Sequence, residues 1–511
     1  MTSSSSISNH TISKTLLLCL LIINFLYLFQ TTSAVTNSNS HFSRFSRHQS
    51  SSSRTKQGFL ASVHESMNYA LLTRSLAFTL SHRATQTRTI DPVHDCLELL
   101  DDTLDMLSRI HADNDDEDVH TWLSAALTNQ ETCEQSIQEQ SKSNKQGFPM
   151  DFHARNLTGL LTNSLDLFVS VKSKHRRFLS EEEEHFPRFV TSSERRLLEA
   201  SVEELKVDAV VAADGSGTHK TIGEALAASL ASDGRTVIHL KAGTYNEHIN
   251  IPTKQKNVML VGDGKGKTVI VGSRSNRGGW TTYQTATVAA MGEGFIARDI
   301  TFVNSAGPQS EQAVALRVGA DKSVVYRCSV EGYQDSLYTH SKRQFYRETD
   351  ITGTVDFIFG NSAVVFQSCN IVARKPLSGQ NNFVTAQGRS NPNQNTGISI
   401  QNCKITAETM SYLGRPWKQY SRTVVMQSFL DGSIYPSGWS PWSGSFGLSS
   451  LYYAEFGNSG PGSSVSGRVK WNGYHSALTV TEAEQFTVAS FIDGSMWLPS
   501  TGVSFDSGLV K

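Results

Sequence analysis

One pattern constrains this chain more than any other. Beyond Val207 five short segments echo one another: Asp299-Ile-Thr-Phe-Val, Tyr326-Arg-Cys-Ser-Val, Glu348-Thr-Asp-Ile-Thr, Gln367-Ser-Cys-Asn-Ile and Gln401-Asn-Cys-Lys-Ile. Aligning Phe302, Val330, Ile351, Ile371, Ile405 and Leu430 gives intervals of about 20 to 34 residues, the range of a solenoid. The intervals are rich in Gly, Asn, Asp and Ser and carry no helical periodicity, which excludes helical repeats and favours a parallel β-helix over an irregular β-sandwich.

The first part of the chain is built differently. Apolar residues recur three and four apart at Val93, Leu97, Leu100, Leu104 and Leu107, and again at Leu157, Leu160, Leu161, Leu165 and Phe168. This predicts a small helical bundle over 57–178, in which Cys96 and Cys133 can tie neighbouring helices. Lys14, an apolar run from Leu16 to Phe29 and Thr-Thr-Ser-Ala34 have the layout of a secretory signal or signal anchor over 1–34. Residues 179–199 form a charged linker, and Arg195-Arg196-Leu197-Leu198 is a natural processing site at its end. The β-helical domain then occupies 200–511. Asn156-Leu-Thr is a glycosylation sequon, which with the signal places the chain in an oxidising, extracellular compartment. A formal net charge of -1 gives no hint of nucleic acid.

Several motifs fail on inspection. Asp214-Gly-Ser-Gly-Thr lacks the third glycine of a dinucleotide loop, because Lys220 stands there. Gly262-Asp-Gly-Lys-Gly-Lys-Thr is one residue too short for a phosphate loop, and no Gly-x-Ser-x-Gly elbow exists. The repeat itself is more informative. Val330 leads to Asp335 and Ile351 leads to Asp356 at the same offset, so the two aspartates occupy equivalent places on successive coils. Parallel strands stack about 4.8 Å apart, and two carboxyls that close cannot both ionise easily. One stays anionic as a nucleophile while the other keeps a proton as general acid; the competing reading is a pair of turn caps.

Five motifs bear on that choice: Gly279-Trp-Thr-Thr-Tyr, Gly307-Pro-Gln-Ser-Glu-Gln-Ala-Val-Ala-Leu-Arg, Tyr333-Gln-Asp-Ser-Leu-Tyr, Thr352-Gly-Thr-Val-Asp-Phe-Ile-Phe-Gly and Tyr412-Leu-Gly-Arg-Pro-Trp. Together, and in this order, they resemble the plant pectin methylesterase family across most of Val207 to Lys511. The resemblance implies a right-handed parallel β-helix without metal or other cofactor, acting on methyl-esterified homogalacturonan. It implies Asp356 as nucleophile, Asp335 as proton donor, Gln312 and Gln334 as oxyanion donors, and Arg415, Trp417 and Thr282 as substrate contacts. Glutamine amides suit an oxyanion because they donate without titrating.

The first part resembles the inhibitor-like pro-region of such enzymes, a four-helix bundle, with Cys96–Cys133 as one of its disulfides. The cysteine pair usual in its N-terminal hairpin is absent. The resemblance thus implies an intramolecular inhibitor, a processing protease, separate inhibitor proteins as further partners, and a secreted monomer of the cell wall. Two further expectations concern the β-helix: Cys369 and Cys403, at equivalent repeat positions, form a disulfide, whereas Cys328 stays free because Thr301 stands where relatives carry its partner. A pectate lyase, a galacturonase and an inactive wall protein are the rival readings. Lyases need clustered calcium-binding acids, and the intact set Asp335, Asp356, Gln312, Gln334 and Arg415 argues against the last.

Overall fold

The computed structural model describes residues 51–84, 92–111, 114–141, 149–176, 204–229 and 234–510. The expected secretory signal over 1–34 and the expected processing sequence Arg195–Leu198 lie outside the described residues. Among the described residues four helices come first: α1 (Ser51–Ala84), α2 (Pro92–Ser108), α3 (Asp116–Ser141) and α4 (Pro149–Arg176). Proline stands at the first position of α2 and of α4, where its missing N–H costs nothing. Asp116, Glu117 and Asp118 fill the first turn of α3 and complement its dipole. On α2 the buried residues Val93, Cys96, Leu99, Leu100, Thr103, Met106 and Leu107 trace one stripe at helical spacing. The expected Cys96–Cys133 disulfide is formed and joins α2 to α3.

After a short helix, Ile222–Ala228, whose N-terminus carries a Thr221–Glu224 capping box, the chain winds into parallel strands. These stack into sheets of 11, 7 and 8 strands, and every pairing between them is parallel. The register is the one the repeat predicts. Phe302, Val330, Ile351, Ile371, Ile405 and Leu430 are paired partners in the eight-stranded sheet, and all are fully buried in the solenoid core. At about 1.5–3 kcal/mol per buried aliphatic side chain, this ladder is a principal source of cohesion between coils.

Single residues in the left-handed region make one corner in six successive coils. Asp299, Arg327, Glu348, Ser368, Asn402 and Gln427, all with φ between 50° and 60°, separate an 11-stranded-sheet strand from the next eight-stranded-sheet strand. One left-handed residue turns an extended chain sharply at small length, so short coils become feasible. Helical segments Val480–Glu484, Val488–Ile492 and Gly494–Trp497 follow the last coil, and Val488, Ile492, Trp497 and Leu498 cover the outer face of the 11-stranded sheet. Gln367, Gln401 and Gln427, at the ends of three stacked strands, donate to the carbonyls of Asp506, Gly508 and Val510 at 3.0, 2.8 and 2.6 Å.

One expectation is corrected. Cys369 and Cys403 are free thiols, not a disulfide. Both side chains lie in the core and donate to backbone carbonyls, Cys369 to Tyr346 and Gln367, Cys403 to Phe366 and Gln401. Equivalent positions on successive coils therefore stack like any other core pair. Cys328 is likewise a buried free thiol, pushed up to about 12 by burial, while Thr301 accepts from Gly266 N–H at 2.9 Å.

Candidate active site

The seven-stranded sheet carries the site. Its strands Leu316–Val318, Leu337–Thr339 and Ile358–Gly360 are in register, and Asp335 and Asp356 stand two residues before Leu337 and Ile358. They therefore occupy equivalent places on adjacent coils, as the sequence predicts. Both are left-handed, with φ of 63° and 51°, a conformation aspartate tolerates better than most residues. Each starts the bend that leads into the sheet, and each is buried, at 7% and 6% exposure.

Their environments differ. Arg415, in the loop after Ser411–Gly414, grips Asp356 with two parallel bonds, Nε to Oδ1 at 2.8 Å and Nη2 to Oδ2 at 2.6 Å. Burial raises the Asp356 carboxyl, and Arg415 opposes that rise by hydrogen bonding and by charge. Asp335 has no such grip. Burial, then the neighbouring charges of Asp356 and Glu139, push it well above the usual carboxylate range, and Arg415 offsets this only in part. A carboxylate held by arginine beside a carboxyl that gives up its proton less readily is the division of labour a nucleophile and an acid need.

Gln312, Gln334, Trp417 and Thr282 stand on neighbouring coils of the same solenoid. The backbone stacks Ala313 N–H on Gln334 O at 3.2 Å and Asp335 N–H on Val355 O at 3.0 Å, which brings Gln312 and Gln334 to the same edge of the sheet. Among the described residues the Gln312 amide oxygen is buried without a hydrogen-bond partner. Trp417 is half-buried, edge-on to Phe359 at 6.0 Å, and its ring lies where a Cβ on Gly388 would come within 2.7 Å. Thr282 opens a short 3-10 turn, Thr282–Thr285, and is buried. Asn156 is exposed on α4, apart from the site.

Two contributors escape the sequence reading. The first is aromatic: the Arg415 guanidinium lies over the Trp442 ring at 4.3 Å and over the Phe383 ring at 4.1 Å. Trp439 is indeed buried, but Trp442 is 37% exposed, and its place in the Ser-Pro-Trp turn after Trp439 was the available signal. The second is the helical bundle. The outward row Ala289, Arg317, Tyr338, Phe359 and Ala386 crosses five coils of the seven-stranded sheet. Its apolar members share one hydrophobic cluster with α1–α4.

Acids from the helices meet bases on the sheet. Asp102 accepts from Lys342 at 2.7 and 2.9 Å, Asp118 from Arg343 at 2.5 Å, and Glu98 lies 3.6 Å from Arg317. Asp95 accepts from Thr281 at 2.6 Å and from Gln284. From α3, Thr128 bonds Asn361 at 2.8 Å, Thr132 bonds His340 at 3.0 Å, and Glu139 accepts from Thr282. The bundle thus lies along the edge that carries Thr282, Asp335 and Trp417.

Fold and site define the class: a helical bundle seated on a parallel β-helix, with a buried carboxyl pair and its arginine on the covered sheet. The pectinesterase family model matches residues 208–495, and the model for plant invertase/pectin methylesterase inhibitor matches 34–167. "Probable pectinesterase/pectinesterase inhibitor 16" of Arabidopsis thaliana is 82% identical over the full length of both chains. "Pectinesterase 2" of Citrus sinensis is 50% identical over 88% of each. The solved pectin methylesterase from carrot superposes with a TM-score of 0.59 at 54% identity, covering 60% of this chain and 99% of its own. The chain belongs to the pectinesterase family, and it is a pectin methylesterase with an N-terminal inhibitor-like domain.

Proposed function

We propose that the chain removes methyl groups from cell-wall homogalacturonan through an aspartyl intermediate, and that the observation carrying this reading is the bidentate Arg415–Asp356 pair beside the buried Asp335, whose carboxyl is pushed well above the usual range. Asp356, held anionic by Arg415, attacks the methyl-ester carbonyl, and the amides of Gln312 and Gln334 donate to the oxyanion. Asp335 gives its proton to the departing methoxy group, so methanol leaves and an aspartyl anhydride remains. Asp335, now a base, takes a proton from water, whose oxygen attacks the anhydride and restores Asp356. Trp417 and Thr282 hold the polymer.

In the uncleaved chain the helical bundle acts as an intramolecular inhibitor because it occupies this same sheet edge. Cleavage near Arg195–Leu198 in the secreted protein releases a monomeric enzyme, Asn156 carries a glycan, and separate inhibitor proteins of the same bundle type are further partners. Among the described residues no helix is long and apolar enough to cross a membrane.

Methanol release from methylated pectin tests the roles. Folded Asp356→Ala should lose nearly all turnover and Gln334→Ala about 10²-fold. Substantial turnover by Asp356→Ala overturns the assignment.

A further inference from the structure

The acids that α2 and α3 direct at the β-helix fall into two groups, and Glu139, like Asp95, belongs to the one that meets neutral donors. Glu98, Asp102 and Asp118 meet arginine or lysine. Glu139 meets neutral donors. Its Oε2 accepts from Thr282 N–H at 2.8 Å, its Oε1 from Thr282 Oγ1 at 3.0 Å, and Asn276 Nδ2 stands 3.5 Å from Oε2. Gln135, one turn earlier on α3, donates to Oε1 at 2.7 Å and steadies the side chain. The backbone N–H and hydroxyl of one buried residue thus make a fixed fork, and the fork is filled by a carboxylate. That carboxylate lies near enough to Asp335 for its charge to act there.

A fork of two neutral donors binds a free carboxylate more strongly than an ester carbonyl, because an ionised acceptor roughly doubles the strength of each bond. Every unit of a polygalacturonate carries a carboxyl group, free or methylated. We propose that Glu139 is a pseudo-substrate: it occupies, in the uncleaved chain, the place where Thr282 receives the free carboxylate of an unesterified galacturonate next to the ester being cleaved. Unesterified oligogalacturonate, the product chemistry of the reaction, therefore competes with the bundle and opens the uncleaved enzyme. This rests on the reading of the groove as a pectin esterase site.

The test uses the full uncleaved chain, its Glu139→Ala and Glu139→Gln variants, and the same chain cleaved between the helical and β-helical parts. Methanol release from methylated pectin is measured with and without an unesterified galacturonate trimer. The wild type should start low and rise with trimer. Glu139→Ala should start about tenfold higher, the worth of one to two charge-assisted bonds, and lose the response to trimer. Glu139→Gln, nearly isosteric and able to keep the fold, should lie between them. Asp151→Asn, which removes an ion pair with Arg155 within α4, should behave as wild type. If both Glu139 variants stay as inactive as the wild type while the cleaved chain is active, the pseudo-substrate is refuted and the inhibitory bundle stands. If the cleaved chain is also inactive on pectin, the esterase reading itself fails.

Discussion

Arg415 has to present its two donors to Asp356 in one plane, and the side chain alone does not enforce that. The rings of Phe383 and Trp442, at 4.1 and 4.3 Å from the guanidinium carbon, hold it in place. A cation over an aromatic ring is worth about 0.5–2 kcal/mol, so Trp442→Ala should lower kcat about fivefold. The pH profile separates positioning from damage. Arg415 opposes the upward push of burial on Asp356, so a looser Arg415 leaves Asp356 with a higher pKa. The proposed attack needs Asp356 ionised, hence the acidic limb of the profile should move to higher pH, and Trp442→Phe should restore it. An unchanged limb with reduced kcat would assign Trp442 to groove shape alone. At this scale the sequence was partly legible. Asp335 and Asp356 declared themselves through the repeat, and Arg415 through its Leu-Gly-Arg-Pro-Trp setting. Trp442 did not, because an aromatic in a loop carries no periodicity to say what it covers, and Glu139 meets Thr282 only across two folded domains.

Among elements, the repeated strands were the most legible, since a coil that returns to the same place forces its core residues to recur; Phe302 through Leu430 are paired as aligned. The same logic misled for Cys369 and Cys403, because repeat equivalence fixes stacking and not side-chain direction. Helices α2 and α3 hold a pH-dependent contact that spacing could not foretell. Asp95 on α2 is pushed up to about 6, chiefly by burial, and Glu131 on α3 to about 7 for the same reason. Thr281, Ser136, Gln284 and Glu98 face Asp95; Ser390, Lys418 and Glu134 face Glu131.

Both carboxyls return to ordinary values when the bundle lifts and water reaches them, so docking takes up protons. Docking is then strongest below the ordinary carboxylate range and weakens as pH rises through about 6 and about 7, levelling off only above both, where the two groups are ionised in either state. The activity of the uncleaved chain, divided by that of the cleaved chain at each pH, should climb between pH 5 and pH 7. A flat ratio would remove these two acids from the docking equilibrium. The disulfide adds a separate effect within the bundle: Cys96→Ser should cost the helical domain about 3–4 kcal/mol and leave the β-helix transition in calorimetry where it was.

For the whole molecule, the junction of bundle and β-helix depends on buried ion pairs as much as on apolar area. Asp102 and Lys342 have side chains 1% and 5% exposed, with Thr253 donating to the same carboxylate at 3.0 Å. Removing one partner strands the other. Lys342→Ala should weaken docking by about 3–5 kcal/mol, whereas an apolar pair such as Asp102→Leu with Lys342→Met should be close to neutral. Protease sensitivity of the helical part in the uncleaved chain reads this directly, and equal sensitivity of the single and double variants would count against it.

The three glutamines that catch the carbonyls of Asp506, Gly508 and Val510 set a different limit on the molecule. A solenoid is a one-dimensional stack, and such stacks fray from their ends, each coil lost loosening the next. The segment carrying these carbonyls runs across the grain, laced to Gln367, Gln401 and Gln427 in turn, so three coils must open together or none does. Fraying is thereby converted into a single cooperative step. Truncation before Asp506 should speed amide exchange in Ala363–Gln367, Gly397–Gln401 and Arg422–Met426 together, while strands on the Asp335 side keep their protection.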